Sequence, residues 1–248
     1  MINPELHKKP LALDRTEHRH LKVRRETNIL EAAAGLNAFF VTAAEFADAC
    51  KEYPILFLRA GTDPEGKPLV APLAIFGLTR GENLFYRNGV WDARYVPAML
   101  RSYPFSMAHA DEKRYVLCFD SSSPAISTEE GEPLFDAEGE PTPYMKSVQS
   151  FVEQIEIEVE RTRLAGRRLM ELGLLQEKRF DATLPDGTTV VVDGFLAVDE
   201  ARMDKLTDAE VVQLHRNGLL GLLNLHVASL GNMRALLERR VAMNAKPA

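Results

Sequence analysis

The sequence predicts an α+β protein. Three observations carry that reading. Residues 53–120 hold apolar extended runs separated by Pro/Gly turn clusters. Two turn dipeptides, Asn88-Gly89 and Asp186-Gly187, sit between β-forming residues, and from Pro143 onward apolar positions recur at helical spacing. Strands gathered first and helices later, without regular alternation of the two, is the α+β order.

Taken in chain order, residues 5–25 carry seven Lys/Arg, three acids and three His, so residues 1–25 read as a basic flexible arm. TAAEFADACK (42–51) is a short helix opening near Thr42, and Pro54 ends it, because a residue before proline avoids the helical region. ILFLRA (55–60) and LVAPLAIFGLT (69–79) are strands joined by DPEGKP, and NLFYRNGVWD (83–92) is a hairpin on Asn88-Gly89. A helical connection over about 95–102 leads to the strand RYVLCFD (114–120), which closes a mostly antiparallel sheet. The stretch 129–140 then carries six acids and no base. It either pairs with the basic arm, meets a partner, or stays solvated.

Thr142-Pro143 supplies an N-cap and a first-turn proline for a helix that runs to about Leu172 and stops at Gly173. Val148, Val152, Ile155 and Val159 form its apolar stripe; IEIEVE (155–160) alone alternates like a strand, but flanking helix formers and the Glu-then-Arg ordering along the surface favour helix. Residues 178–198 form a second hairpin on Asp186-Gly187, Asp199 caps a short helix, and Thr207 to Glu210 is a capping box. A last helix spans about 219–240. The domain reading is therefore a single α+β domain over 26–240, with the arm before it and a tail over 241–248.

With 248 residues, 46% of them hydrophobic, the chain can bury one large core or two modest ones. A formal charge of -6 argues against a general nucleic-acid binder, which needs a basic face for phosphates. Two cysteines, Cys50 and Cys118, make no disulfide framework and suit a reducing compartment. No apolar leader core and no stretch long enough to span a bilayer is visible, so a soluble, cytoplasmic protein without membrane insertion is expected.

No GxSxG, Walker loop, GxGxxG, HExxH or CxxC occurs, so no motif names a cofactor. The concentrated chemistry lies in WDARYVPAMLRSYPF (91–105). Trp91, Arg94, Tyr95, Arg101 and Tyr103 are the expected ligand-binding residues, since aromatics give contact area and an Arg fork grips an anion. The competing reading puts the tyrosines in the core and the arginines against acids. Asp120, at a strand end before Ser121, Ser122 and Ser123, and His226, on an apolar helical stripe, are the candidate catalytic residues. His7, His18 and His20 lack a second ligand cluster fixed by spacing, and Asp136, Glu138 and Glu140 lack the EF-hand pattern, so no metal site is expected.

An ordered set of phrases runs along the chain: EYPILF (52–57), GLTRGENLF (77–85), WDARYVPAMLRSYPF, LCFD (117–120), GEPLFDAEGEPTP (131–143), VDEARMDKL (198–206) and SLGNM (229–233). Together these resemble the SapC family of bacterial proteins over about residues 20 to 240. The family is named from a surface-layer locus, and the resemblance brings no settled catalytic residues to carry over. Some members are labelled peptide-transport permeases, from which this chain departs because it has no spanning helix. Family genes often lie beside outer-membrane receptors and flavin-dependent halogenase-like proteins. The resemblance thus implies an accessory or binding protein serving small-molecule or peptide uptake or modification. The alternatives are an enzyme with a scattered polar site acting on a small molecule, and a structural partner subunit. A small molecule or a protein is the expected partner, and the oligomeric state is left open.

Overall fold

Apolar alternation in the first half becomes antiparallel strands, as expected, but these strands are divided between separate sheets. The computed structural model describes residues 2–109, 115–185 and 187–244, and the chain falls into two units.

The first unit comprises residues 1–34, 88–91 and 98–157. Its larger sheet is antiparallel, in the order Pro10–Ala12, Tyr115–Asp120, Phe105–His109. Phe105 pairs with Phe119, and both enter a buried cluster with Leu21, Val23, Met107, Leu134, Met145 and Val152. Burying side chains of this size is worth about 1.5–3 kcal/mol each, which makes this cluster the main support of the unit. The strand Phe105–His109 was not expected from the sequence. Its only signal is Phe105 and Met107 at alternate positions, too short to stand out beside the preceding helical turn. A second small ladder sets Lys22–Val23 between Ile126–Ser127 and Glu132–Pro133. It requires Gly131, whose φ is 115° and where a Cβ would stand 2.5 Å from the Val23 carbonyl oxygen.

The second unit comprises residues 35–87, 92–97 and 158–248. Its five-stranded sheet runs Leu175–Thr183, Thr189–Val198, Ile55–Thr62, Pro68–Ile75, Ala38–Phe40, with every neighbour antiparallel. The late hairpin therefore joins the early strands, through Leu196 opposite Phe57. Asp186 of its turn lies outside the described residues, as do 110–114 and 245–248. Tyr53 packs edge-on to Phe76 and Phe85 at 5.2 and 4.7 Å, in a core that also buries Phe46, Ile55 and Leu56.

Local signals behave as their chemistry requires. Asn88 and Gly89 take φ of 49° and 81°, as a two-residue hairpin turn demands. The helix Pro143–Glu171 is capped by Thr142, whose hydroxyl accepts the Met145 N–H at 3.2 Å, and Gly173 follows it at φ 62°. Val152, Ile155 and Val159 are buried along it, so IEIEVE is helical. Asp199 accepts the Arg202 N–H, and Thr207 and Glu210 form the capping box. The expected last helix is in fact two, Leu219–Ser229 and Asn232–Asn244. The break falls at Leu230 and Gly231, whose N–H groups bond to carbonyls three residues back, and the polar side chains on either side of it serve other backbone. Ser229 Oγ accepts the Ile55 N–H at 3.0 Å, and the Asn232 amide donates to the Cys50 and Tyr53 carbonyls at 2.7 and 3.1 Å. No helix among the described residues is long and apolar enough to cross a membrane.

Candidate functional site

Within the first unit, three segments meet around a cleft of about 450 Å³: Val23 to Ile29, Arg101 to Phe105, and the helical residues Tyr144 to Val152. Tyr144 and Phe151 are seven residues apart, two helical turns, so both rings face the same way, with Ser147 and Val148 between them. The Arg25 guanidinium lies 4.7 Å from the Tyr144 ring centre, and the Arg101 guanidinium 5.2 Å from that of Phe151. A guanidinium over a ring face gains from the ring's negative face, and its N–H groups suit a carboxylate or phosphate. Burial pushes the Tyr144 phenol up, and Arg25 offsets part of that rise.

The basic and acidic segments meet in this unit. Arg24 pairs with Glu130 at 2.9 Å, Arg25 with Glu132 at 3.4 Å, and Arg15 with Glu140 at 3.4 Å. Lys22 Nζ also donates to the Glu129 carbonyl at 2.8 Å. Arg24 and Arg25 face a second hollow of about 530 Å³, shared with Glu26, Glu130, Gly131 and Glu132.

Tyr103 contributes to the cleft wall, while its hydroxyl donates to Asp120 Oδ2 at 3.1 Å. Asp120 is fully buried and accepts four further bonds: from the Lys8, Lys9 and Ser122 N–H groups at 2.9–3.0 Å, and from the Ser122 hydroxyl at 2.6 Å. Burial alone would push its carboxyl up. The Ser122 hydroxyl and the Lys8, Ser122 and Lys9 N–H groups outweigh that and hold it at about 2. The carboxylate is thus the anchor of residues 8–9 on the sheet. His7 lies beside it, its ring 5.7 Å from that of Tyr103. His18 packs edge-on to Phe119 at 5.0 Å, and its Nδ1 accepts the Asp14 N–H.

The remaining expected site residues have these surroundings. Trp91 is buried in the first unit. Arg94 and Tyr95 belong to the second unit. There the Arg94 N–H donates to Glu52 at 3.4 Å, and the Tyr95 hydroxyl donates to Glu45 at 2.8 Å. The Tyr95 carbonyl accepts the Tyr53 hydroxyl. His226, also in the second unit, is fully buried; its Nε2 accepts the Val198 N–H at 3.2 Å and its ring lies 5.0 Å from that of Phe57. Burial pulls its imidazole down to about 4, so it stays neutral at pH 7.

A family model described as SapC matches residues 13–236. The chain belongs to the SapC family. No curated protein and no solved structure matches it. In this SapC chain, the matched span contains every residue of the cleft. The sequence pattern points to Arg101 and Tyr103, counts Val148 and Val152 in a helical apolar stripe, leaves Tyr144 and Phe151 unmarked, and puts Arg24 and Arg25 in the basic arm. The stripe itself is legible at positions 144, 147, 148, 151 and 152. What the sequence lacks is any sign that arginines from two distant segments lie over it.

Proposed function

We propose that this SapC-family protein binds a small anionic ligand carrying a planar or aromatic group, held in the cleft of the first unit. The observation that carries this reading is the pair of guanidiniums over rings, Arg25 over Tyr144 and Arg101 over Phe151, lining one cleft. Rings give a flat apolar surface, and the arginines supply forked donors at its edges. A cavity of about 450 Å³ lies within the range of small-molecule sites. Asp120 and His226 favour no catalytic role here, since one carboxylate is saturated by structural donors and the imidazole is enclosed. The two free thiols, Cys50 and Cys118, suit a reducing, cytoplasmic setting.

Phenyl phosphate is a suitable probe, because it joins a ring to a group of nearly two negative charges at pH 7. Calorimetric titration of the wild-type protein, Arg25→Ala and Arg101→Ala at low salt tests the reading. The expected result is measurable binding that weakens about tenfold or more in each variant, as loss of a charge-assisted contact requires. Unchanged affinity in both folded variants, or no binding at millimolar probe, would overturn it.

A further inference from the structure

We infer that Glu130 and Glu132 are built-in competitor anions that restrain ligand binding in the cleft. This rests on the cleft reading above and adds its regulation. Arg24 and Arg25 face two hollows at once: the aromatic cleft on one hand, and on the other the hollow that holds Glu130 and Glu132. The two ion pairs, at 2.9 and 3.4 Å, already set carboxylate charge beside the guanidiniums that an incoming anion needs. An anion in the cleft must therefore displace carboxylates or share the guanidiniums with them.

The carboxylates are held near the arginines by backbone, independently of the charges. Glu132 and Pro133 pair with Val23 and Lys22, the Leu134 N–H donates to the Leu21 carbonyl at 3.1 Å, and Gly131 permits the close approach to Val23. A tethered anion competes at high local concentration. Yet the pairs are half-exposed, with side-chain exposures of 39% and 74% for Arg24 and Glu130 and 61% and 42% for Arg25 and Glu132. Exposed pairs of this kind are weak, so a ligand can break them, at an affinity loss of about two- to fivefold per pair. The ligand that gains most carries two negative charges, because it can replace both glutamates.

The test compares wild-type protein with Glu130→Gln/Glu132→Gln, titrated with phenyl phosphate. Glutamine keeps the shape and the backbone ladder, so the double variant should fold. A control, Glu129→Gln/Glu138→Gln, removes the same charge from the same acidic segment, at positions outside both hollows. The expected result is Kd tightened about fourfold or more in the first variant and little changed in the control. Each single variant, Glu130→Gln and Glu132→Gln, should give part of the gain. Equal affinity in wild type and double variant overturns the inference while leaving the cleft reading intact. Equal tightening in the control also overturns it, by assigning the effect to net charge. Absence of binding in every protein overturns both.

Discussion

The Tyr103 hydroxyl and the Asp120 carboxylate meet at 3.1 Å in a site from which solvent is excluded, and the same carboxylate holds the backbone of Lys8 and Lys9. One residue of the cleft wall is therefore tied to the group that fastens the N-terminal segment. Asp120→Asn puts an N–H₂ among five donors, so at least one buried donor loses its acceptor. The expected cost is about 2–4 kcal/mol, with faster hydrogen exchange at residues 8–12; Tyr103→Phe removes one neutral donor and should cost about 1 kcal/mol. Urea melts and exchange mass spectrometry measure both. Equal stability of wild type and Asp120→Asn would contradict the anchoring role.

His226 sets a pH dependence of known sign. Its folded value, about 4, lies below the 6.5 of an exposed imidazole. As pH falls through 6.5 the unfolded chain takes up a proton that the folded protein refuses, so stability is full above pH 6.5 and declines toward pH 4. The shift corresponds to about 3 kcal/mol over that window. His226→Gln can still accept the Val198 N–H but does not titrate. Its urea midpoint should start lower at pH 7.5 and change less between pH 6.5 and 4 than that of wild type. Parallel profiles would rule out His226 as the source.

What the sequence disclosed follows the range of the forces involved. Thr142-Pro143, Asp199, Thr207 with Glu210, and Gly173 act within one helical turn, so their positions alone predict helix starts and stops. The α+β class followed from the same local patterns. Pairing partners did not. Lys8 and Asp120 are 112 residues apart, and nothing local to either announces the other. The cleft was half legible for the same reason: Arg101 and Tyr103 lie in a conspicuous aromatic–arginine segment, whereas Arg25 reads as one base among many until Tyr144 is brought under it. The break at Leu230-Gly231 is not legible because one glycine is tolerated within a helix, and the bonds that fix Ser229 and Asn232 on either side go to Ile55, Cys50 and Tyr53, far away in the chain.

Ser229 gives that last point a test. Its hydroxyl accepts the Ile55 N–H at 3.0 Å and donates to the His226 carbonyl at 2.6 Å, and the residue is fully buried. Ser229→Ala raises helix propensity by a few tenths of a kcal/mol but leaves the Ile55 N–H without a partner, which costs about 1–3 kcal/mol. The lost hydrogen bond outweighs the gain in propensity, so a net loss of about 1–2 kcal/mol is expected in denaturant unfolding. A variant as stable as wild type would mean that the Ile55 N–H finds another acceptor.

Gly166 presents the same contest with packing in place of a hydrogen bond. It lies in the helix Pro143–Glu171, where alanine is normally worth up to about 1 kcal/mol over glycine. A Cβ at this position, however, would stand 2.9 Å from the Val70 carbonyl oxygen and 3.0 Å from Val70 Cγ2. The carbonyl belongs to the strand Pro68–Ile75, where Val70 pairs with Arg59 of the neighbouring strand, so it cannot withdraw without disturbing that ladder. Overpacking against fixed backbone costs about 1–3 kcal/mol, enough to cancel the propensity gain and exceed it. Gly166→Ala is therefore expected to lower the thermal midpoint by a few degrees. Gly173→Ala serves as a contrast, since its Cβ would meet nothing within 4 Å and its cost arises only from a φ of 62°. Adding Val70→Ala to Gly166→Ala removes Cγ2 but leaves the carbonyl, so it should recover little of the loss. Full recovery would shift the cause from backbone to side chain.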